Sequence, residues 1–191
     1  MAIREDIIDK VAEIFRAAWT ERDGYVVPEP DSLTLDNDAV NLNGTVLYAD
    51  MAESTNLVDS KKNSFAAEIY KTFLNCAAKV IRDEDGEITA YDGDRIMAVF
   101  LGDGKNDRAA RAGLKINNAR IEIIDPAIQA QYPKSTYRLK HKVGIDTSSL
   151  FVARTGVRGA NDLVWVGRAA NHAAKLCTFS AEYPTRITSE V

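Results

Sequence analysis

Apolar residues recur along this chain in two rhythms: the three-to-four-residue spacing of amphipathic helices, and the alternation or short continuous runs of strands. Ile7, Val11, Ile14, Phe15 and Ala18 carry the first helical rhythm, with Gly24 as its predicted stop. From Pro28-Glu29-Pro30-Asp31 to Asn43-Gly44 the chain is rich in turn formers, which predicts a segment wrapping the surface. The run Thr45-Val46-Leu47-Tyr48-Ala49 predicts a core strand that ends at Asp50, followed by a short helical turn near 55–59. A longer helix is predicted over 64–81, where Phe65, Ile69, Phe73, Ala77 and Val80 share one face. A hairpin over 87–101 turns at Asp92-Gly93, a helix covers 106–121, and strand patterns return at 137–146, 150–155 and 162–166. A helix opens at Gly167 and runs through Leu176, and Thr185-Arg186-Ile187-Thr188 reads as a last strand.

That order predicts an α+β fold: a central, largely antiparallel sheet with helices on one face, because hairpins exclude a purely parallel sheet. Residues 1–43 read as an N-terminal helix and wrapping segment, and 44–191 as the main domain. At 191 residues, 46% hydrophobic and 27% charged, the chain has the composition of a globular protein with a full core. A net charge of -4 leaves no electrostatic footprint for nucleic acid. Cys76 and Cys177 lie in separate apolar stretches and read as buried thiols, and two histidines are too few for a histidine-rich metal centre. The charged start Arg4-Glu5-Asp6 and the lack of a membrane-length apolar run predict a cytoplasmic protein with no direct membrane insertion.

Two aspartates carry the candidate chemistry. Asp50 closes the first core strand, and Asp94 lies in the turn Tyr91-Asp92-Gly93-Asp94-Arg95 before Ile96-Met97-Ala98-Val99-Phe100. If the two strands are neighbours, both carboxylates meet at one sheet edge. Such a pair, beside the free N–H groups of a helix start, suits a divalent cation and a polyphosphate. The plainer alternative makes Asp50 a helix cap and Asp94 a turn residue.

Asp50 in its strand-end setting, the Gly93-Asp94 hairpin, Gly144-Ile145-Asp146 and Val164-Trp165-Val166-Gly167-Arg168-Ala169-Ala170-Asn171-His172 together resemble class III nucleotidyl cyclases over about residues 44–190. The resemblance implies a ferredoxin-like core and a head-to-tail homodimer with its sites between protomers. It implies that Asp50 and Asp94, with the Met51 carbonyl, hold two Mn2+ or Mg2+ ions per site. The Ala52–Thr55 segment, including Ser54 and Thr55, would then face the triphosphate. Asn171 and Lys175, four apart on one helix face, match the residues that orient the ribose and steady the α-phosphate. Lys175 stands where relatives carry arginine, so Arg168, Arg154 or Arg158 are candidates for the missing guanidinium. Ser148 stands where many relatives have glycine.

The departures narrow the substrate. The two positions that read a purine edge in this family are here Ala90 and Val164, both apolar, and a purine site stripped of its polar readers loses discrimination. Tyr91 can stack on a smaller ring, and Asp92 can accept a proton from uracil N3 or the cytosine amine. Strand alternation places Tyr91 and Asp92 on opposite faces unless a bulge intervenes. With its Tyr-Asp-Gly-Asp-Arg hairpin and Trp165-Val166-Gly167-Arg168 run, the chain is similar to the pyrimidine (uridylate and cytidylate) cyclases of bacterial Pycsar anti-phage defence. That resemblance implies cyclic UMP or cyclic CMP as product and a separate effector that senses it. An adenylate or guanylate cyclase with unusual base readers, and a catalytically silent nucleotide-binding domain, are the alternatives.

Overall fold

Strand β2 (Asp38–Met51) is the spine of the fold. A computed structural model, which describes residues 2–191, sets it between β4 (Arg95–Leu101) and β5 (His141–Val157), both antiparallel to it. Outside these lie β3 (Glu87–Asp92) and β6 (Ala160–Val166), giving the order β3-β4-β2-β5-β6. Two short strands join in parallel, β1 (Thr20–Asp23) on β2 and β7 (Thr185–Ile187) on β5. The helices are α1 (Ala2–Arg16), α2 (Ser54–Ser60), α3 (Asn63–Asp83), α4 (Lys105–Ala119), α5 (Asp125–Gln131) and α6 (Arg168–Leu176). No described helix is long and apolar enough to cross a membrane.

Alternation along the strands divides the core between the two faces of the sheet. Leu47, Ala49 and Met51, with Ile96, Ala98 and Phe100, pack against Phe73 and Ile81 of α3 and Ala109 and Ile116 of α4. Val46, Met97, Val99, Leu150 and Val152 point the other way, against Ala169, Ala170 and Ala173 of α6. The expectation of helices on one face is therefore corrected: both faces are covered. The continuous run Val46-Leu47 is itself a sign of burial on both sides. The second layer is hard to read because α6 buries alanines, which make a weak apolar stripe.

Other differences have local causes. The two strands predicted over 137–146 and 150–155 are one, β5, whose ladder to β2 continues through Ser148↔Gly44 and Ser149↔Asn43. Helix α1 stops at Arg16, well before Gly24, and the wholly exposed Thr20–Asp23 gives no periodic signal for β1. Strand β2 starts at Asp38, inside the stretch predicted to wrap the surface. A π-helical turn at Arg120–Ile124 shifts the helical phase after α4 and hides α5, which begins with Pro126 in its first turn.

His141 sits on β5 opposite Met51, 2% exposed, its ring centroid 5.7 Å from that of Phe73. Among the described residues neither ring nitrogen has a hydrogen-bond partner. Burial, reinforced by the nearby Arg120 charge, lowers its pKa from 6.5 to about 4. The unfolded chain thus takes up a proton near pH 6.5 that the folded chain refuses until about pH 4. Stability from this residue is complete above pH 6.5 and is lost as pH falls toward 4, on the order of 3 kcal/mol in all. His141→Phe is expected to flatten that slope in denaturant melts between pH 7 and 4, and an unchanged slope would exclude His141 as its source.

Candidate active site

Strand β2 ends beside the start of β4, and that shared edge brings the two aspartates together. Asp50 pairs with Arg95 across the ladder, and the Met51 N–H donates to the Asp94 carbonyl at 3.3 Å. The hairpin between β3 and β4 closes through Gly93 and Asp94, flanked by the pair Asp92↔Arg95. Gly93 takes φ 60°, a left-handed value that suits glycine and lets the turn be this tight.

Asp50 is 8% exposed. Arg95 Nε donates to its Oδ1 at 3.3 Å, and Lys142 Nζ stands 3.9 Å from Oδ2. Burial pushes the Asp50 carboxyl above its ordinary range; Arg95 pulls it back, the Asp94 charge pushes it up again, and Lys142 pulls it down, with a net rise. Asp94 is thus an electrostatic neighbour of Asp50. The Arg95 guanidinium also lies over the Tyr48 ring, 5.8 Å from its centroid. Tyr48, Asp50 and Arg95 share a sheet face by alternation and register, the face on which α6 packs.

Beyond β2 the Met51 side chain is buried toward α3, and the Ala52 N–H donates to the Lys140 carbonyl at 2.9 Å. Glu53 then adopts φ 62°, ψ 27° and turns the chain into α2, so that half-buried Ser54 and exposed Thr55 open that helix. Lys140 Nζ pairs with the Glu53 carboxylate at 2.7 Å. A cavity of about 330 Å3 adjoins this turn, lined by Ala52, Glu53, Lys61, Arg138 and Lys140 among others. Among the described residues no group of three or more His, Cys, Asp or Glu side chains is placed to hold a metal ion.

Helix α6 lies close on β5 because Gly144 carries no side chain there. A Cβ on Gly144 would stand 2.1 Å from the Ala173 carbonyl oxygen. The start of α6 is held from outside: Ser148 Oγ accepts the Ala169 N–H at 3.0 Å, which gives Ser148 a capping role. Arg168 reaches the Thr147 carbonyl at 2.7 Å, Asp146 at 3.2 Å and Glu190 at 2.7 Å. Asn171 and Lys175 are exposed on the side of α6 opposite Ala169, Ala170 and Ala173, and among the described residues neither side chain is hydrogen-bonded. Just beyond α6, the buried Cys177 thiol lies 3.6 Å from the Tyr48 carbonyl; burial, with the Asp50 charge adding to it, pushes its pKa up to about 11.

The remaining sequence candidates separate. A bulge between Ile88 and Ala90 precedes the hairpin, after which Ala90 faces Met97, Tyr91 faces Ile96 and Asp92 faces Arg95. Ala90 and Asp92 therefore share the face of Arg95, and Tyr91, 58% exposed, points to the other. Val164 lies on β6 at the far side of the sheet from β3, on the face opposite Leu163 and Trp165. One protomer thus brings Asp50, Met51, Asp94, Asp92 and the Ser54-Thr55 turn to one edge, but not Val164 with Ala90. Arg154 is engaged by Asn161, Asp31 and the Leu33 carbonyl, whereas Arg158 is exposed at the tip of the β5–β6 hairpin.

Sequence reading missed Tyr48 and Lys142 and gave Arg95 no role. Tyr48 was findable, since it lies two residues before Asp50 on the same strand face. Lys142 was not, because only the register Asp50↔Lys142 puts it there.

No family model matches the chain. It is 54% identical over 192 residues to the uridylate cyclase of Xanthomonas perforans, covering all of this chain and 83% of that protein. It is 53% identical over 193 residues to the uridylate cyclase of Burkholderia cepacia, again with 100% and 83% covered. In three dimensions it matches the adenylyl cyclase CyaB from P. aeruginosa with a TM-score of 0.65 at 22% identity, over 80% of this chain and 79% of that one, a likeness of fold. On the strength of these identities over its whole length, the chain belongs to the uridylate cyclases.

Proposed function

We propose that two copies of this chain cyclise a pyrimidine nucleoside triphosphate, UTP ahead of CTP, to its 3′,5′-cyclic monophosphate and pyrophosphate. The observation that carries this reading is the meeting of Asp50 and Asp94 at the β2–β4 edge, with Asp50 sensing the Asp94 charge. The 3′ hydroxyl gives up its proton to water, its oxygen bonds to the α-phosphorus, the bridging bond to the β-phosphate breaks, and pyrophosphate leaves with that electron pair.

The donor set fits a hard divalent cation. Two carboxylates and the Met51 carbonyl are oxygen ligands, and ions such as Mg2+ and Mn2+ bind through one or two carboxylates plus substrate phosphates. Among the described residues no third acidic side chain joins this pair, so substrate phosphates would supply the remaining oxygens. When bound, two such ions supply Lewis acidity at the attacking and leaving oxygens. Lys142 and Arg95, which now offset the Asp50 charge, are placed to meet phosphate oxygens as well, and the Ser54-Thr55 turn offers backbone N–H groups to the β- and γ-phosphates.

Asn171 and Lys175 face away from the sheet that carries Asp50, so their roles on the ribose and α-phosphate are served by the partner protomer in a head-to-tail pair. Arg168, tied to Asp146 and Glu190, acts by fixing the start of the helix that bears them. Selection for a small base follows from apolar Ala90 and Val164, from Tyr48 and Arg95 filling the face beside Asp50, and from Asp92 as an acceptor for a base N–H. With Tyr91 on the opposite face, Asp92 is the base contact of that pair. The resemblance to anti-phage cyclases supports reading this chain as the signal-producing enzyme of such a system, with a separate effector downstream.

Incubation of the pure protein with each of the four nucleoside triphosphates and Mn2+, with products resolved by mass spectrometry, tests the reading. Cyclic UMP as the main product, with cyclic CMP below it, is expected. Cyclic AMP or GMP alone would replace it with a purine cyclase, and no cyclic product would leave a silent nucleotide-binding domain.

A further inference from the structure

Helix α1 is the least explained part of the molecule. It is 15 residues long and none of them is buried. Ile3, Ile7, Ile8, Val11, Ile14 and Phe15 form one apolar stripe, with exposures of 69, 54, 48, 47, 48 and 86%. Among the described residues its side-chain hydrogen bonds to the rest of the chain lie at its end, where Asn37 Nδ2 donates to the Ile14 and Ala17 carbonyls at 2.9 and 2.8 Å. A helix this short is marginal in water without a packed face, and a contiguous exposed stripe of this kind marks an interaction surface.

We infer that α1 packs against the α1 of a second copy of this chain, as an antiparallel, two-fold-related pair. The charges select that occupant and that orientation. Residues 2–9 carry Arg4 against Glu5, Asp6 and Asp9, one plus and three minus for a net -2; residues 10–16 carry Lys10 and Arg16 against Glu13, for a net +1. An antiparallel pair lays each acidic half along the other's basic half and opposes the helix dipoles, whereas a parallel pair stacks like on like. A two-fold pairing lets one stripe serve as its own complement. Two helices of about 22 Å bury less than the roughly 1,200 Å2 of a free-standing stable interface. The pair therefore reinforces association made elsewhere between the copies. This goes beyond the catalytic proposal and needs none of its chemistry.

The test is sedimentation equilibrium of the whole chain and of the double variant Ile7→Asp/Val11→Asp. Both residues are exposed, so circular dichroism is expected to report an intact fold. The variant is expected to associate at least tenfold more weakly than the parent chain. A monomeric parent, or equal association of both proteins, would overturn the inference. So would binding of the parent, and not the variant, to phosphatidylcholine–phosphatidylserine vesicles, which would make lipid the cover of this face. Orientation is read from spin labels at Arg4→Cys and Arg16→Cys in a Cys76→Ser background, Cys177 being buried. A shorter Arg4-to-Arg16 than Arg4-to-Arg4 distance between copies is expected, and the reverse order excludes the antiparallel pair. Turnover is not a readout here, so the nucleotide assay stands or falls separately.

Discussion

Asp50→Ala and Asp94→Ala should each lower cyclic nucleotide formation by about 10^3-fold or more, with the fold retained. The size of the effect follows from the task proposed for the pair. Each carboxylate contributes charge and geometry to cations that act on both the attacking and leaving oxygens, and removing preorganised stabilisation of developing charge costs about 3–4 kcal/mol per group, more when a whole ion is lost. The fold should survive for a different reason. Asp50 is buried and held above its normal pKa, so its ionised form is an electrostatic burden that alanine relieves, although Arg95 and Lys142 then lose an anionic neighbour. Asp94 occupies a surface turn whose shape is set by Gly93 and the backbone bond to Met51, which alanine preserves. Melting curves beside turnover decide the matter: full activity in either variant removes that residue from the metal site, and lost activity with lost folding assigns it to the scaffold.

Mixing two dead variants should restore activity. Asp50→Ala removes the acidic half of a site, and Asn171→Ala removes the group that α6 presents from its outer side. If each site takes one half from each protomer, a mixed dimer holds one site with both lesions and one with neither. Random re-pairing of equal amounts makes half the dimers mixed, each with half its sites intact, so about one quarter of the parent turnover is expected. Each variant alone should stay near zero. No recovery after demonstrated subunit exchange would place Asn171 in the same-chain site or outside the site altogether.

How much of this was readable beforehand depended on which neighbours each residue needed. Asp50 and Asp94 were legible because strand ends and a Gly-containing two-residue turn are local features, and antiparallel pairing of β2 with β4 brings them together. Tyr48 needed only the alternation of a single strand. Lys142 required the register of β5 against β2, a long-range fact that no local pattern contains. Helix α6 was found, but its place on the second face of the sheet was not, because alanines and a missing side chain at Gly144 create its contact. Ser148 looked anomalous in isolation and acquires its purpose only once the start of α6 is set beside it. The N-terminal helix was evident from its periodicity, while its unburied stripe is a property of the folded molecule alone.

Strand β5 runs without interruption from Lys142, beside Asp50, to the hairpin tip that bears Arg158, and its 17 residues span about 55 Å. An element so continuous ties the hairpin tip to the edge that carries Asp50 through one unbroken strand. It also restricts where evolution can change the chain's length. One residue inserted along the strand would invert every side chain beyond it, exchanging inside for outside, whereas the bend at 158–159 can absorb the same insertion with no such inversion. Lineages descended from this scaffold should therefore gather their insertions at that bend and keep the strand's length constant.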